Sequence, residues 1–120
     1  MPTISWADLT VPDVEPLRDF YARVTGLTPS PVDMGGYSDF CLLDAGGEAI
    51  AGVCHARGSN AGLPPVWLIY ITVPDLDDSM RAVQELGGAI IAGPHKMGES
   101  ARYCVIRDPA GAFSALYEKK

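Results

Sequence analysis

The sequence repeats itself, and this duplication limits the possible folds more than any other feature. LTVPD at residues 9–13 returns as ITVPD at 71–75, and CLLDAGGEAIA at 41–51 returns in outline as CVIRDPAGAFSA at 104–115. The register between the two copies drifts by only two residues, since Asp13 precedes Asp75 by 62 positions and Gly47 precedes Gly111 by 64. A repeat at a nearly constant spacing indicates one structural unit used twice. The sequence therefore predicts two modules of the same design.

Each module is predicted to begin with a strand followed by a helix. Residues 4–11 and 67–73 are rich in β-branched and aromatic side chains, and each run leads into a Pro-Asp pair. Asp13 and Asp75 are placed to cap the helices that follow, and a glycine after each helix, Gly26 or Gly87, suits a left-handed C-terminal residue. The helices carry apolar residues at helical spacing: Leu17, Phe20, Tyr21 and Val24 in the first, and Met80, Val83 and Leu86 in the second.

Three short strands are predicted after each helix, because turn signals interrupt the remaining sequence at regular intervals. The turn signals are Gly35-Gly36 and Gly46-Gly47 in the first module, and Gly98 and Asp108-Pro109-Ala110-Gly111 in the second. The order is thus βαβββ in both modules. This pattern predicts an α+β fold of two tandem βαβββ modules.

The length and composition favour a single globular domain in the cytoplasm. The chain has 120 residues, and no segment approaches 18 consecutive apolar residues. We expect module one at 1–55, a linker rich in Gly, Ser, Asn and Pro at 56–65, and module two at 66–120. The first residues lack the basic patch and apolar run of a signal peptide. A net charge of −6 has the wrong sign for a surface that holds phosphates, so nucleic acid is not an expected partner, and without a long apolar segment a membrane is not expected either.

Paired βαβββ modules with these motifs resemble the vicinal oxygen chelate superfamily, which includes glyoxalase I, extradiol dioxygenases and bleomycin-resistance proteins. LTVPDVEPLRDFYARVTGL is similar to the opening strand and helix of that family, and RDPAGAFSALYE is similar to its closing DPxG strand. The resemblance implies that the modules curl into a cup-shaped mixed β-sheet with helices on the outer face. It also implies that a metal enzyme of this kind has ligands on the first and last strand of each module.

The positions where the resemblance places metal ligands carry no donor atoms. The histidine position, seven residues before the Pro-Asp aspartate, falls at Trp6 and Leu68, and the glutamate position, four residues after the turn glycine, falls at Ala51 and Ala115. A divalent ion needs carboxylate, imidazole or thiolate donors that converge from several strands. We therefore expect neither a metal nor another cofactor.

The other residues that could bind a metal are poor candidates for that role. His55 lies at a strand end beside the linker and His95 in the loop PHKMG, where a lone histidine is more often solvated or hydrogen-bonded than a ligand. Glu118 lies three residues after Ala115, so strand alternation turns it away from the cup. Three cysteines at wide spacing argue against a disulfide framework or a compact zinc site, and we expect free thiols at Cys41, Cys54 and Cys104.

Strand alternation also predicts the lining of the cup. If Trp6 faces inward, Asp8 and Thr10 do too, while Ala7, Leu9 and Val11 face the helix. The predicted ligand-binding residues on the inner face are Trp6, Asp8, Tyr70, Phe113 and Tyr117. Aromatic side chains on a strand face also suit an ordinary core. Asp8 is the predicted polar anchor, since a carboxylate among aromatic rings needs a partner, although a salt bridge to Arg102 or Arg107 would serve equally.

Two functions remain open at this point. One is a metal-independent protein that binds and sequesters an apolar or aromatic small molecule, as the resemblance to bleomycin-resistance proteins implies. The other is a metal-free lyase or isomerase in which Asp8, Tyr70 or Tyr117 supplies acid–base chemistry. The sequence favours the first slightly, assigns no catalytic residue and does not identify the ligand.

The sequence also leads us to expect a homodimer. Each module offers an open four-stranded sheet with an apolar concave face, and proteins of this resemblance usually cover such faces by pairing modules across a two-fold axis. Light scattering at micromolar concentration should therefore give twice the mass of the chain. The mass of a single chain would contradict this expectation.

Overall fold

A computed structural model, which describes residues 2–119, confirms the α+β fold of two βαβββ modules. The first module consists of β1 (Thr3–Val11), α1 (Val14–Thr25), β2 (Thr28–Asp33), β3 (Ser38–Leu43) and β4 (Ala49–His55). The second consists of β5 (Trp67–Thr72), α2 (Leu76–Glu85), β6 (Ala89–Met97), β7 (Ala101–Arg107) and β8 (Phe113–Lys119). Within residues 2–119, neither helix is long and apolar enough to cross a membrane.

The chain forms two compact units, and β1 contributes to both. The first unit is Ala7–Trp67, and the second joins the residues from Leu68 onward with those before Ala7. In the first unit the strand order is β2-β3-β4-β1, with β1 parallel to β4. In the second unit the order is β5-β8-β7-β6, with β5 parallel to β8. The start of β1 extends this second sheet beside β5, where the hydroxyl of Thr72 donates to that of Ser5 at 3.2 Å.

The core of the first unit lies between α1 and its sheet. Leu9 and Val11 of β1 are buried and pack with Val14, Leu17 and Tyr21. The predicted orientation of Leu9 and Val11 toward the helix is therefore confirmed. The indole N–H of Trp67 donates to the hydroxyl of Tyr21 at 3.1 Å, which closes one side of this core.

The helices carry apolar residues over a wider face than the one that they bury. Phe20 and Val24 of α1 are 55% and 65% exposed, and Leu86, the residue after α2, is 75% exposed. In the second unit Met80 and Val83 pack against the buried cluster. Helical periodicity thus located both helices but overstated their buried stripe.

The two helices begin differently although their sequences match. Asp75 caps α2, because its carboxylate accepts the N–H of Asp78 at 3.1 Å. Asp13 occupies the same position before α1, but its side chain makes no cap hydrogen bond with the described residues, so the predicted cap is wrong there. The predicted left-handed glycines are confirmed, with φ of 80° at Gly26 and 92° at Gly87.

Buried Glu118 ties β8 to the start of α2. Its Oε1 accepts the N–H of Leu76, the first residue of α2, at 2.7 Å. Its Oε2 accepts Nε of Arg102 at 3.2 Å, and Arg102 also donates to Asp77. A carboxylate is favoured at a helix N-terminus, where the first N–H groups lack intrahelical partners. Glu118 therefore faces the helix, as predicted, rather than the opposite side of the sheet.

A β-bulge in β4 shifts the register of the first module. Leu42 of β3 pairs with Ala51, but Leu43 pairs with Ala49, so Ile50 is an extra residue in β4. Beyond the bulge every side chain faces the side opposite to that expected from an uninterrupted count. Ala51 consequently packs against the helix-side core, and its predicted place among the inward ligand positions is wrong.

Gly52 occupies the position that Ala51 was predicted to fill. It pairs with Asp8 on β1, just as Ala115 pairs with Tyr70 on β5. Asp8 and Tyr70 are 62 positions apart and correspond in the duplication. With Gly52 in place of Ala51 the position still offers no metal ligand, because glycine, like alanine, has no donor atom in its side chain.

We predict that Glu118→Ala lowers the free energy of unfolding by about 2–3 kcal/mol, because the N–H of Leu76 and the guanidinium of Arg102 lose a charged acceptor. Chemical denaturation of the purified protein measures this loss. The matched control Glu99→Ala, which removes an exposed carboxylate of the second unit, should change the free energy by less than about 0.5 kcal/mol. Equal effects of the two substitutions would show that the Glu118 contacts do not stabilise the fold.

Candidate functional site

The sheet of the second unit carries aromatic side chains on the side opposite α2. Ile71 and Leu116 pack toward α2, so alternation turns their neighbours on β5 and β8 to the other side. We call this other side the aromatic face, and it is formed by Tyr70, His95, Tyr103, Phe113 and Tyr117. The rings contact one another: the centroids of Tyr70 and Tyr103 are 5.9 Å apart, and those of His95 and Tyr103 are 5.5 Å apart.

A cavity of about 300 Å³ borders the aromatic face. Its lining residues are Ser5, Trp6, Tyr70, Met97 and Tyr117. All five belong to the second unit. A concave surface built from aromatic and apolar side chains with a few hydroxyl groups is the usual form of a small-molecule site, and this volume lies at the lower end of the range for such sites.

The structure brings three of the five predicted binding residues together at this cavity. Trp6, Tyr70 and Tyr117 line it. Phe113 lies on the same face of β8, opposite Arg107 of β7, and is not among the lining residues. Asp8 belongs to the first unit. Its role as an anchor therefore stays a prediction.

Met97 lines the cavity, and sequence reasoning missed it because the PHKMG segment was interpreted as a loop. That interpretation is wrong: the segment belongs to β6, where His95 pairs with Tyr103 and Met97 with Ala101. Pro94 has no N–H to give to a sheet, but β6 is the last strand in the order and can accommodate a proline. Alternation from His95 to Met97 would have placed both on one face.

Asp8 lies near two thiols in the first unit. It pairs with Gly52, which pairs in turn with Cys41 on β3, so no side chain separates the carboxylate from the thiol along this row. Burial and the charge of Asp8 raise the pKa of Cys41, and the same causes raise the pKa of Cys54 further. In the second unit, burial raises the pKa of Cys104 to about 11. The free thiols are thus protonated at neutral pH and poorly nucleophilic.

His55 has a hydrogen-bonded structural position in the first unit. Oδ1 of Asp39 lies 2.9 Å from both the backbone nitrogen and Nδ1 of His55. Nε2 is 3.9 Å from a carboxylate oxygen of Glu15 on α1. The ring of Tyr37 packs edge-on at a centroid distance of 5.1 Å. These contacts fix the end of β4.

The residues do not fit a resident metal ion. Across the described part of the chain, no three His, Cys, Asp or Glu side chains come together in a way that could hold one. The positions implied by the family resemblance are Trp6, Leu68 and Ala115, with Gly52 in place of Ala51. None of these side chains offers a nitrogen, oxygen or sulfur lone pair that suits a metal.

A second cavity, of about 320 Å³, lies on the α2 side of the sheet. It is lined by Ser79 and Ala82 of α2, together with residues of β7 and β8. The corresponding positions of α1, 62 residues earlier, hold the larger Leu17 and Phe20. The two modules have therefore diverged on their helical side as well as on the aromatic face.

A family model described as the Glyoxalase/Bleomycin resistance protein/Dioxygenase superfamily matches residues 3–113. The chain belongs to this superfamily. The match confirms the family predicted from the duplicated motifs.

Curated relatives of this superfamily member are longer proteins. An anthracycline biosynthesis protein of Streptomyces peucetius, DnrV, is 28% identical over 96% of this chain and 46% of its own length. CFP32 of Mycobacterium bovis, provisionally named a glyoxylase, is 31% identical over 97% of this chain and 45% of its own length. The chain thus spans somewhat less than half the length of these relatives.

Solved structures share the fold at lower sequence identity. A hypothetical protein of Bacillus halodurans is 17% identical with a TM-score of 0.63, over 99% of this chain and 95% of its own. Methylmalonyl-CoA epimerase of Mycobacterium tuberculosis is 17% identical with a TM-score of 0.59, over 98% of this chain and 87% of its own. At this identity the likeness concerns the fold alone.

We predict that Asp8→Asn accelerates the alkylation of Cys41. The negative charge of Asp8 raises the pKa of Cys41, so its removal lowers that pKa and increases the thiolate fraction at any pH below it. Iodoacetamide labelling at pH 8, followed by peptide mass spectrometry, should show a faster rate than in the parent protein. The control Asp13→Asn should leave the rate unchanged. An unchanged rate in Asp8→Asn would contradict the electrostatic contact.

Proposed function

We propose that this domain binds a largely apolar, aromatic small molecule in the cavity beside the aromatic face, and that it does so without a resident metal. The observation that carries the proposal is the cavity itself, in which Trp6, Tyr70 and Tyr117 surround about 300 Å³. Aromatic rings stack favourably on flat ligands and gain further from the burial of apolar area. Binding of this kind supports sequestration of the ligand rather than its conversion.

The magnitude of apolar burial favours a ligand with fused rings. At about 25 cal/mol per Å², burying roughly 100 Å² of a single ring gives only about 2.5 kcal/mol. Burying roughly 300 Å² of a fused system gives about 7.5 kcal/mol, which corresponds to micromolar affinity before the cost of association. A fused-ring ligand therefore suits a pocket with few polar groups.

The relatives agree with this ligand class. One of them is named for anthracycline biosynthesis, and anthracyclines contain fused aromatic rings. The superfamily description includes bleomycin-resistance proteins, which gives metal-independent binding a place beside the enzymes of the same fold. We also propose that the domain acts as a homodimer in the cytoplasm.

The alternative of metal-free acid–base catalysis stays a proposal as well. Tyr70 and Tyr117 present phenol groups at the cavity, and a phenol can transfer a proton during a lyase or isomerase reaction. Asp8 is the third residue that the sequence suggests for this acid–base role. Conversion of a bound ligand, lost in both Tyr70→Phe and Tyr117→Phe, would favour the enzyme over the binding protein.

We predict that anthraquinone-2-sulfonate gives a measurable heat of binding in calorimetric titrations that contain EDTA. Met97→Ala should weaken this binding about tenfold, because it removes a lining side chain worth about 1.4 kcal/mol of contact. Met34→Ala is the matched control, since Met34 lies in the first unit and is 47% exposed against 44% for Met97. No heat of binding, a requirement for added metal, or equal affinity of the two variants would contradict the proposal.

A further inference from the structure

His95 contains a buried polar atom that the fold itself does not use. Nε2 of its imidazole is shielded from solvent and has no hydrogen-bond partner within residues 2–119. Buried polar atoms are nearly always paired, and each unpaired one costs stability. Such an atom needs an explanation, and His95 shares its face of β6 with Met97, which lines the cavity although His95 itself does not.

The strand register connects His95 to the cavity. His95 of β6 pairs with Tyr103 of β7, and Tyr103 pairs with Tyr117 of β8. Tyr117 pairs with Thr72 of β5, whose hydroxyl donates to Ser5. These five side chains form a row with polar atoms across the aromatic face, and both Ser5 and Tyr117 line the cavity.

Met97 links the same strand to the cavity. It lies two residues after His95 on the same face of β6, lines the cavity and is 44% exposed. Methionine is unbranched and flexible, so its side chain can move at little cost. Met97 therefore brings the face of β6 that carries His95 to the edge of the cavity.

We propose that His95 determines the specificity of the proposed binding site, by forming a hydrogen bond from Nε2 to a hydroxyl group on the aromatic ligand. This inference rests on the proposed function and narrows it to hydroxylated fused-ring compounds. In one neutral tautomer Nε2 is an acceptor, which matches the O–H of a phenol. The apolar lining supplies affinity for the rings, and the imidazole selects the ring that carries the hydroxyl group.

A purely structural histidine would behave differently on substitution. If His95 only fills space beside Tyr103, His95→Phe keeps the ring contact and removes an unpaired polar atom, so the melting temperature stays or rises and ligand preference does not change. If Nε2 anchors the ligand, the same variant remains folded but loses its preference for a hydroxylated compound. Ligand preference therefore separates the two roles where stability does not.

The test uses two probes of nearly equal shape, 2-naphthol and 2-methylnaphthalene, titrated into the full chain. The parent protein should bind 2-naphthol about tenfold more tightly, as expected for one hydrogen bond to a buried group. His95→Phe should lose or reverse this preference, because the hydroxyl of 2-naphthol would then be buried without a partner, while its affinity for 2-methylnaphthalene stays unchanged. His95→Gln, which retains a side-chain acceptor, should recover part of the preference.

The other possible outcomes contradict either the assignment of His95 or the proposed function itself. If the parent binds both probes but prefers neither, or if His95→Phe keeps the preference, the assignment of His95 is overturned and the proposed function stands. If the parent binds neither probe nor anthraquinone-2-sulfonate, the proposed function fails and the assignment of His95 fails with it.

Discussion

The carboxylate of Glu118 fixes the arrangement on which the aromatic face depends. It holds the first N–H of α2 and the guanidinium of Arg102, so one side of β8 must face the helix. Because side chains alternate along a strand, Ala115 and Tyr117 then face the other way. A buried charge is costly unless it is paired and hydrogen-bonded, and these contacts supply both requirements. The orientation of the aromatic face is thus set from the opposite side of the sheet.

The sequence predicted the fold and much of the candidate site because both follow from local rules. Duplication gave two βαβββ modules, the resemblance to the superfamily placed Trp6 on the inner face, and alternation along the corresponding strand selected Tyr70. The bulge at Ile50 escaped prediction because it exists only in the pairing of β4 with β3, and no residue type marks it. Met97 escaped because Pro94 suggested a loop, whereas an edge strand tolerates proline.

The positions where the resemblance implies metal ligands carry apolar side chains near the aromatic face. Ala115 is fully buried beside Tyr70, and Leu68 is 2% exposed on the same strand as that tyrosine. A carboxylate at either place would require partners that the aromatic rings do not provide. At these positions this chain therefore has apolar side chains that suit the neighbouring aromatic rings.

The extra residue in β4 matters to anyone who would engineer this scaffold. A designer who aligned the halves by their turn glycines would install a glutamate at Ala51 in order to recreate a metalloenzyme. That side chain would enter the edge of the helix-side core beside Val53, where an unpaired carboxylate would destabilise the domain rather than bind an ion. Position 52 faces the intended side. One inserted residue thus separates a successful graft from a failed one, and an alignment of sequences alone does not reveal it.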